Sequence, residues 1–293
     1  MPAKRNSRKN NTHKRALIIS AGGSRGAFAV GAIKAFAAHG ELDFELIAGS
    51  STGGLIAPLA AIGEVNTLVS VYGNTTTKQV IRKRCLPLAL LFGNSLYDTD
   101  PLKSLIDTFL PDNKAQAVLN SRTRIAIACT QLQSGEVCFF SNAAAKNRRL
   151  EDKVIKIADA AMLRTAMLAS SNQPILMPPI TIGNHQYMDG GIRDVSPVDV
   201  ALLEGIKDIT VINMTPEKSE PDQRQFTKIT SIMGRALRIM LSEITEGDFE
   251  KARLAGARLT IIRPDKELNA DPMVFDPAEM RTMMALGEAA ARR

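Results

Sequence analysis

The sequence predicts an α/β fold with a parallel sheet and helical crossovers, and two observations near its start carry this prediction. Residues 15–20 are a short apolar stretch that enters a glycine-rich turn and then a segment of helical composition ending at Gly40. Residues 43–48 repeat this order of strand, glycine turn and apolar helix, the helix running through Ile62. Because successive strand–turn–helix units return the chain to one sheet in the same direction, the two strands should be parallel.

Later segments extend the same pattern. Residues 64–122 are predicted to be mainly helical. Apolar, β-branched runs at 124–129 and 136–140, separated by a Ser-Gly turn, predict two more strands, and so do 209–213 and 259–262. Between the last two, apolar residues recur at helical spacing and predict a helix with a core-facing stripe. The stripe comprises Phe226, Ile229, Met233, Ala236, Leu237, Met240, Leu241 and Ile244.

The size and charge of the chain indicate one sizeable domain behind a basic tail. Its 293 residues are 45% hydrophobic and 23% charged, which is enough to bury a large core. The net charge is +7, but six basic residues within positions 1–15 account for all but one of those charges. The tail, residues 1–14, is therefore predicted to be disordered, or alternatively to be drawn to anionic lipid by about 1 kcal/mol per basic residue.

Composition also argues against several classes of protein. The chain has no Trp and only 4% aromatic residues, so stacking on nucleic acid is not expected. Its three cysteines, Cys85, Cys129 and Cys138, are odd in number and lack metal-like spacing, which favours a reducing compartment. No apolar run reaches the length of a membrane span. We therefore expect a cytoplasmic protein.

A candidate nucleophile lies in the second glycine turn, Gly49-Ser50-Ser51-Thr52-Gly53. Ser51 has glycine two residues before it and two residues after it, whereas Ser50 does not. A sharp strand-to-helix turn needs such small neighbours, and it would expose the Ser51 hydroxyl at a helix N-terminus that favours developing negative charge. The pattern is weak alone and stronger for lying between an apolar strand and an apolar helix.

The base for such a serine is not expected to be a histidine. The chain contains only His13, His39 and His185, and none follows a plausible triad acid in the order that a Ser-acid-His hydrolase requires. Asp189 is the stronger candidate because it ends a short strand and is followed by Gly190-Gly191, which lets the backbone turn and another segment approach. Asp194 and Asp199 are lesser candidates, since both lie among ordinary loop and helix residues.

The first glycine turn, Gly22-Gly23-Ser24-Arg25-Gly26, could present backbone amides to an anion. A dinucleotide fingerprint fails because position 21 is Ala21 and no acid ends the second strand. A Walker loop fails because its Gly-Lys-Ser/Thr ending is missing. An oxyanion hole for acyl transfer fits better, with each pre-oriented amide contributing roughly 3–4 kcal/mol.

Together these motifs resemble the patatin-like phospholipase family. The similar elements are the first glycine turn, the Gly-x-Ser-x-Gly around Ser51 and Asp189-Gly190-Gly191, in that order, with Ala169-Ser170-Ser171 and the following prolines resembling the segment before the family's Asp-Gly-Gly. The likeness covers about residues 15–215. One departure is Ala21, where the family usually has a third glycine, so the register of the donor amides is open.

The resemblance implies a three-layer α/β sandwich with a mainly parallel central sheet, and a Ser51–Asp189 dyad that works without histidine. It implies an oxyanion hole at Gly22, Gly23, Ser24, Arg25 and Gly26, with Arg25 orienting the loop. No metal and no cofactor are expected. The domain would span residues 15–293, with a motif core at 15–215 and a helical C-terminal part at 223–293.

The implied substrate is a fatty-acyl ester, of a phospholipid or a lysophospholipid, with peripheral membrane contact as a further expectation and the oligomeric state open. The apolar run at 85–92 is read as a core segment or, alternatively, as a flap over an acyl pocket. Two other functions stay open: a catalytically idle lipid-binding protein, and a nucleotide- or phosphate-binding module that uses both glycine turns as anion cradles.

Overall fold

A computed structural model describes residues 14–84, 94–218, 223, 225–227, 229–268 and 271–293. The apolar run at 85–92 and nearly all of the basic tail lie outside the described residues. The strands are β1 Arg15–Ile19, β2 Leu46–Ser50, β3 Arg82–Lys83, β4 Tyr97–Asp98, β5 Arg124–Gln131, β6 Val137–Ser141, β7 Val154–Lys156, β8 Ile180–Ile182, β9 His185–Asp189, β10 Asp208–Ile212 and β11 Arg258–Ile262.

The helices are α1 Gly26–Ala38, α2 Thr52–Ala61, α3 Val65–Asn74, α4 Thr77–Val80, α5 Asp100–Phe109, α6 Asp112–Leu119, α7 Arg148–Glu151, α8 Ala160–Ser171, α9 Val198–Leu203, α10 Ile229–Leu254 and α11 Pro277–Ala290. Two short 3₁₀ turns, Gly23–Arg25 and Gly190–Ile192, lie at the first glycine turn and after Asp189.

The central sheet has the order β11-β10-β1-β2-β5-β6-β7, and its first five strands are parallel to one another. Alternate side chains of β1 enter two different apolar clusters: Leu17 and Ile19 on one face, Ala16 and Ile18 on the other. Most helices, α1 and α2 among them, cover the first face, and α7, α9 and α10 cover the second. The predicted three-layer sandwich with a mainly parallel sheet is therefore confirmed.

The pairing of β5 positions the site, because two strands, β2 and β9, lie end to end along one of its edges, while β6 pairs along the other. Strand β2 runs parallel to it, ending with Ser50 opposite Ala128. Strand β9 runs antiparallel, ending with Asp189 opposite the next residue, Cys129. The C-terminal ends of β2 and β9 therefore meet, and the residues that follow them are neighbours.

Helix α11 packs against α1 so closely that their backbones touch at glycines. A Cβ at Gly31 would lie 1.9 Å from the carbonyl oxygen of Met284, and one at Gly287 would lie 1.9 Å from that of Phe28. Real Cβ atoms do not approach backbone so closely, so only glycine allows this crossing. The C-terminal helix is thereby held against the helix that follows the first glycine turn.

The predicted helix in the C-terminal part is present as α10, but the core-facing stripe is wrong at two of its positions. Met240 is 60% exposed and Ala236 is also exposed. Among the α10 residues whose burial the structure describes, the fully buried apolar ones are instead Phe249 and Ala252, in the last turns of the helix. Apolar spacing identifies one face of a helix, but it does not say which part of that face another layer covers.

Within the described residues, no helix is both long and apolar enough to cross a bilayer.

We expect Gly287→Ala to lower the free energy of unfolding by about 1–3 kcal/mol, because the new methyl group overpacks the contact between α1 and α11. Gly247→Ala is the matched control, since Gly247 lies in α10 with nothing within 4 Å of its added Cβ. That change should be neutral or stabilising by up to about 1 kcal/mol. Urea unfolding measures both, and equal stability of the two variants would contradict the described packing.

Candidate active site

Ser51 lies between the end of β2 and the start of α2 in a strained backbone conformation. Its φ of 54° and ψ of −123° are rare for a residue with a side chain. Such conformations cost about 1–3 kcal/mol and persist only where the surroundings impose them. Ser51 therefore lies on a sharp turn from a strand into a helix, the position at which a nucleophile elbow places its serine.

The glycines on either side of Ser51 are required by backbone contact. A Cβ at Gly49 would lie 2.2 Å from the carbonyl carbon of Gly53, and one at Gly53 would lie 2.1 Å from the carbonyl oxygen of Ile19. The spacing of these glycines therefore has the steric reason that the sequence suggested.

Ser51 and Asp189 are brought together by the meeting of β2 and β9. The Ser51 hydroxyl donates to Oδ2 of Asp189 at 2.7 Å, and the amide of Gly191 donates to Oδ1 at 2.7 Å. Only 4% of Ser51 and 5% of Asp189 is exposed. Both carboxylate oxygens thus have a fixed partner, and one partner is the predicted nucleophile.

Burial sets the acidity of Asp189. Loss of solvent raises its pKa from 3.8 to about 6, although the hydrogen bonds from Ser51 and Gly191 act in the opposite direction. At neutral pH the carboxylate is therefore ionised, and its proton affinity is much higher than that of an exposed aspartate. This is the property that a general base needs.

Ser170, near the C-terminal end of α8, secures the strained turn. Its hydroxyl accepts a hydrogen bond from the amide of Ser51 at 3.1 Å and donates to the carbonyl of Ala128 at 2.7 Å. The amide of Asp189 donates to the neighbouring Asn172 carbonyl at 3.0 Å. The sequence drew attention to this segment only through its likeness to a family motif, and no local signal indicated these contacts.

The first glycine turn lies beside Ser51 at the pocket wall. Some of its backbone amides already have acceptors within the protein, so fewer of them are free to bind an oxyanion than the sequence suggested. The Ser24 amide, one of the predicted donors, already donates to the carbonyl of Pro272 at 2.8 Å, and the Arg25 amide donates to Gly22 at 3.2 Å. The Gly26 amide bonds within the turn. Within the described residues, the amides of Gly22 and Gly23 have no such acceptor, so these two remain available to an anion.

Two further residues of this loop also have defined contacts: Ala21, which differs from the family's usual glycine, and the charged residue Arg25. Ala21, where the family usually has glycine, donates its amide to the Val195 carbonyl at 2.9 Å, and its methyl group faces Gly191. The Arg25 guanidinium is buried, with Glu267 at 3.9 Å. The carboxylate of Glu267 is itself about half exposed, so this ion pair lies where the buried Arg25 side chain reaches the surface.

An apolar pocket of about 710 Å³, including solvent at its mouth, opens beside Ser51. Ser51, Thr52 and Gly23 lie on its wall, and the remainder is mostly aliphatic and aromatic, with Leu68 and Phe109 as examples. Such a lining suits a hydrocarbon chain, and none of its described residues is charged.

A family model described as patatin-like phospholipase matches residues 17–202. The chain belongs to this family. A lysophospholipase NTE1 from Debaryomyces hansenii is 25% identical over 199 residues, and one from Scheffersomyces stipitis is 26% identical over 199 residues. These alignments cover 68% of this patatin-like chain but only 12% and 11% of the relatives, so the chain spans a small part of their length.

Two solved structures are similar over most of the patatin-like chain. VipD from Legionella pneumophila is 13% identical with a TM-score of 0.49, covering 96% of this chain and 66% of its own. The type III effector protein ExoU of Pseudomonas aeruginosa is 14% identical with a TM-score of 0.42, covering 95% of this chain and 52% of its own.

Among the described residues of this patatin-like protein, none of the other titratable candidates has a side-chain hydrogen bond to Ser51 or Asp189. His39 is exposed at the end of α1, and His185 is exposed four residues before Asp189, roughly 13 Å along an extended strand. Asp199 pairs with Lys251 at 2.5 Å, and burial raises the pKa of Asp194 well above its usual range. Among the described residues, no group of three or more metal-binding side chains is found.

We expect the Asp189 carboxyl to titrate near pH 6, because desolvation outweighs its two hydrogen bonds. In Ser51→Ala the pKa should rise further, since one hydrogen bond that favours the carboxylate is lost. Carboxyl ¹³C chemical shifts in selectively labelled protein measure both values. A midpoint near 4 in the wild-type protein would contradict the buried geometry.

Proposed function

We propose that this protein is a serine acyl-hydrolase that cleaves fatty-acyl esters of phospholipids or lysophospholipids, with Ser51 as nucleophile and Asp189 as base. The observation that carries the proposal is the 2.7 Å hydrogen bond from the Ser51 hydroxyl to a buried carboxylate, at the wall of an apolar pocket. Membership of a phospholipase family supports lipid ester hydrolysis. The curated relatives are named lysophospholipases, which supports a lysophospholipid among the substrates.

In the first step, the acyl chain occupies the apolar pocket with its ester carbonyl beside Ser51. Asp189 accepts the hydroxyl proton while Ser51 Oγ forms a bond to the carbonyl carbon, and the carbonyl π electrons move to oxygen. The amides of Gly22 and Gly23 stabilise that oxyanion. Collapse of the tetrahedral intermediate expels the alcohol, which takes the proton from Asp189, and leaves an acyl group on Ser51.

In the second step, water replaces the alcohol. Asp189 takes one proton from the water as its oxygen bonds to the acyl carbon, and a second tetrahedral oxyanion forms at the same amides. Its collapse releases the fatty acid and returns the proton to Ser51 Oγ. Asp189 ends each half-reaction in the ionised form in which it began, so no cofactor is needed to balance the cycle.

We further propose that residues 15–293 act as one hydrolase domain, with residues 1–14 as a basic tail. Strand β11 extends the central sheet and α11 packs on α1, which supports a single unit reaching to the C-terminal helix. A phospholipid substrate would require contact with a membrane surface, where a basic tail adds attraction to anionic lipid.

We expect Ser51→Ala to lose labelling by a fluorophosphonate probe and to lose ester turnover. Asp189→Asn should reduce kcat by about 10²–10⁴-fold, the usual contribution of a general base. Fatty acid release from lysophosphatidylcholine and from phosphatidylcholine measures turnover and separates the two substrate classes.

Ser50→Ala is the matched control for Ser51→Ala. Ser50 is the adjacent serine, its hydroxyl is buried and it has no hydrogen-bond partner in the described structure. This variant should remain labelled and active. Full activity in folded Ser51→Ala or Asp189→Asn protein would refute the dyad.

We expect kcat/KM to fall on the acid side of pH 6. The pKa of Asp189 is raised to about 6, so the carboxylate that accepts the serine proton is lost progressively as the pH drops through that value. A pH–rate profile with a neutral, non-titrating acyl ester measures this limb. A profile that stays level down to pH 4 would show that a different group is the base.

A further inference from the structure

A segment outside the range of the family model contributes to the apolar pocket. Residues 271–276, here called the C-terminal strap, connect the region after β11 to α11, whereas the family model ends at residue 202. Met273 and Phe275 of the strap line the pocket that opens beside Ser51. The pocket is therefore completed by the far C-terminal part of the chain.

The strap is attached at both ends to elements of the site. At one end, the Pro272 carbonyl accepts the hydrogen bond from the Ser24 amide, and a Cβ at Gly23 would lie 2.3 Å from that carbonyl oxygen. At the other end, the Phe275 amide donates to the hydroxyl of Thr77 at 2.9 Å, and the Thr77 amide donates to the Phe275 carbonyl at 3.1 Å. These attachments fix both ends of the segment that contributes Met273 and Phe275 to the pocket wall.

The side chains of the strap differ in the direction they take from it. Met273 and Phe275 are partly buried at the pocket wall, while Val274 between them is 42% exposed and is not part of the lining. Two large apolar side chains are thus directed toward the space where an acyl chain would lie. Val274 lies on the same segment of backbone, but its side chain does not contact the pocket.

We propose that Met273 and Phe275 are specificity-determining residues that set which acyl chains the protein accepts. The inference rests on the proposed acyl-hydrolase function and adds a determinant to it. Met273 follows Pro272, whose carbonyl accepts a hydrogen bond from the first glycine turn. Phe275 lies two residues further along the strap, where its backbone bonds to Thr77 of α4. On this proposal, Met273 contacts the part of an acyl chain nearer the ester and Phe275 a more distant part, so long chains should depend on Phe275 more than short chains do.

The test compares kcat and KM for p-nitrophenyl butyrate and p-nitrophenyl palmitate. Phe275→Trp should lower the palmitate-to-butyrate ratio of kcat/KM by about tenfold, because small changes in a hydrophobic pocket discriminate by roughly 10- to 200-fold. Phe275→Ala should raise KM for palmitate and leave kcat in place, since it removes contacts made equally before and during the reaction. Met273→Trp should lower kcat/KM for both esters.

Val274→Trp is the matched control on the same strap, and it should leave the ratio unchanged. Fluorophosphonate labelling of each variant shows whether Ser51 and its surroundings are still formed. A normally labelled Phe275→Trp protein with the wild-type ratio would overturn the inference, and so would an equal shift in Val274→Trp.

A second measurement separates failure of the strap from failure of the catalytic proposal. Binding of cis-parinaric acid to the Ser51→Ala protein reports on the pocket without any turnover. Weaker binding after Phe275→Trp, with no change after Val274→Trp, supports the role of the strap even if the wild-type protein hydrolyses no ester. Equal binding in all three proteins would overturn it even if the wild-type protein is an active hydrolase.

Discussion

The site depends on the pairing of one strand, β5, with two others placed end to end. Strand β2 approaches along it in parallel and stops at Ser50, and β9 approaches in the opposite direction and stops at Asp189. Hydrogen-bond register along β5 allows little slippage, because a shift of one residue would turn each buried side chain to the other face of the sheet. The distance between the Ser51 hydroxyl and the Asp189 carboxylate is therefore a property of the sheet.

This dependence explains why so much of the surrounding structure consists of close backbone contact. Gly49 and Gly53 let the turn at Ser51 form against β1, and Gly190 could carry no side chain beside the Ala128 carbonyl, 2.4 Å from its added Cβ. A hydrogen bond from the Ser51 amide to the Ser170 hydroxyl stabilises the strained backbone conformation of Ser51. The same tight packing excludes water, and that exclusion raises the proton affinity of Asp189.

Local chemistry explains which features could be anticipated and which could not. The glycine spacing around Ser51, the apolar strands and the shortage of histidines are all visible in the order of residues, and they led to the sheet and to the pairing of Ser51 with Asp189 as a hypothesis. The engagement of the Ser24 amide by Pro272 joins residues nearly 250 positions apart, and no local pattern predicts it. The exposure of Met240 could not be anticipated for a similar reason, because helical spacing does not reveal whether another element covers that part of the helix face.

By itself, the sequence determined the fold class, the strained turn at Ser51 and the absence of a suitably ordered histidine, since these follow from residue size, spacing and composition over short stretches. Only the tertiary structure decided that the Ser24 amide is engaged by Pro272, that burial raises the pKa of Asp189 to about 6, and that Met273 and Phe275 reach the pocket. These properties arise from desolvation and from contacts between distant segments, and both exist only after the chain has packed.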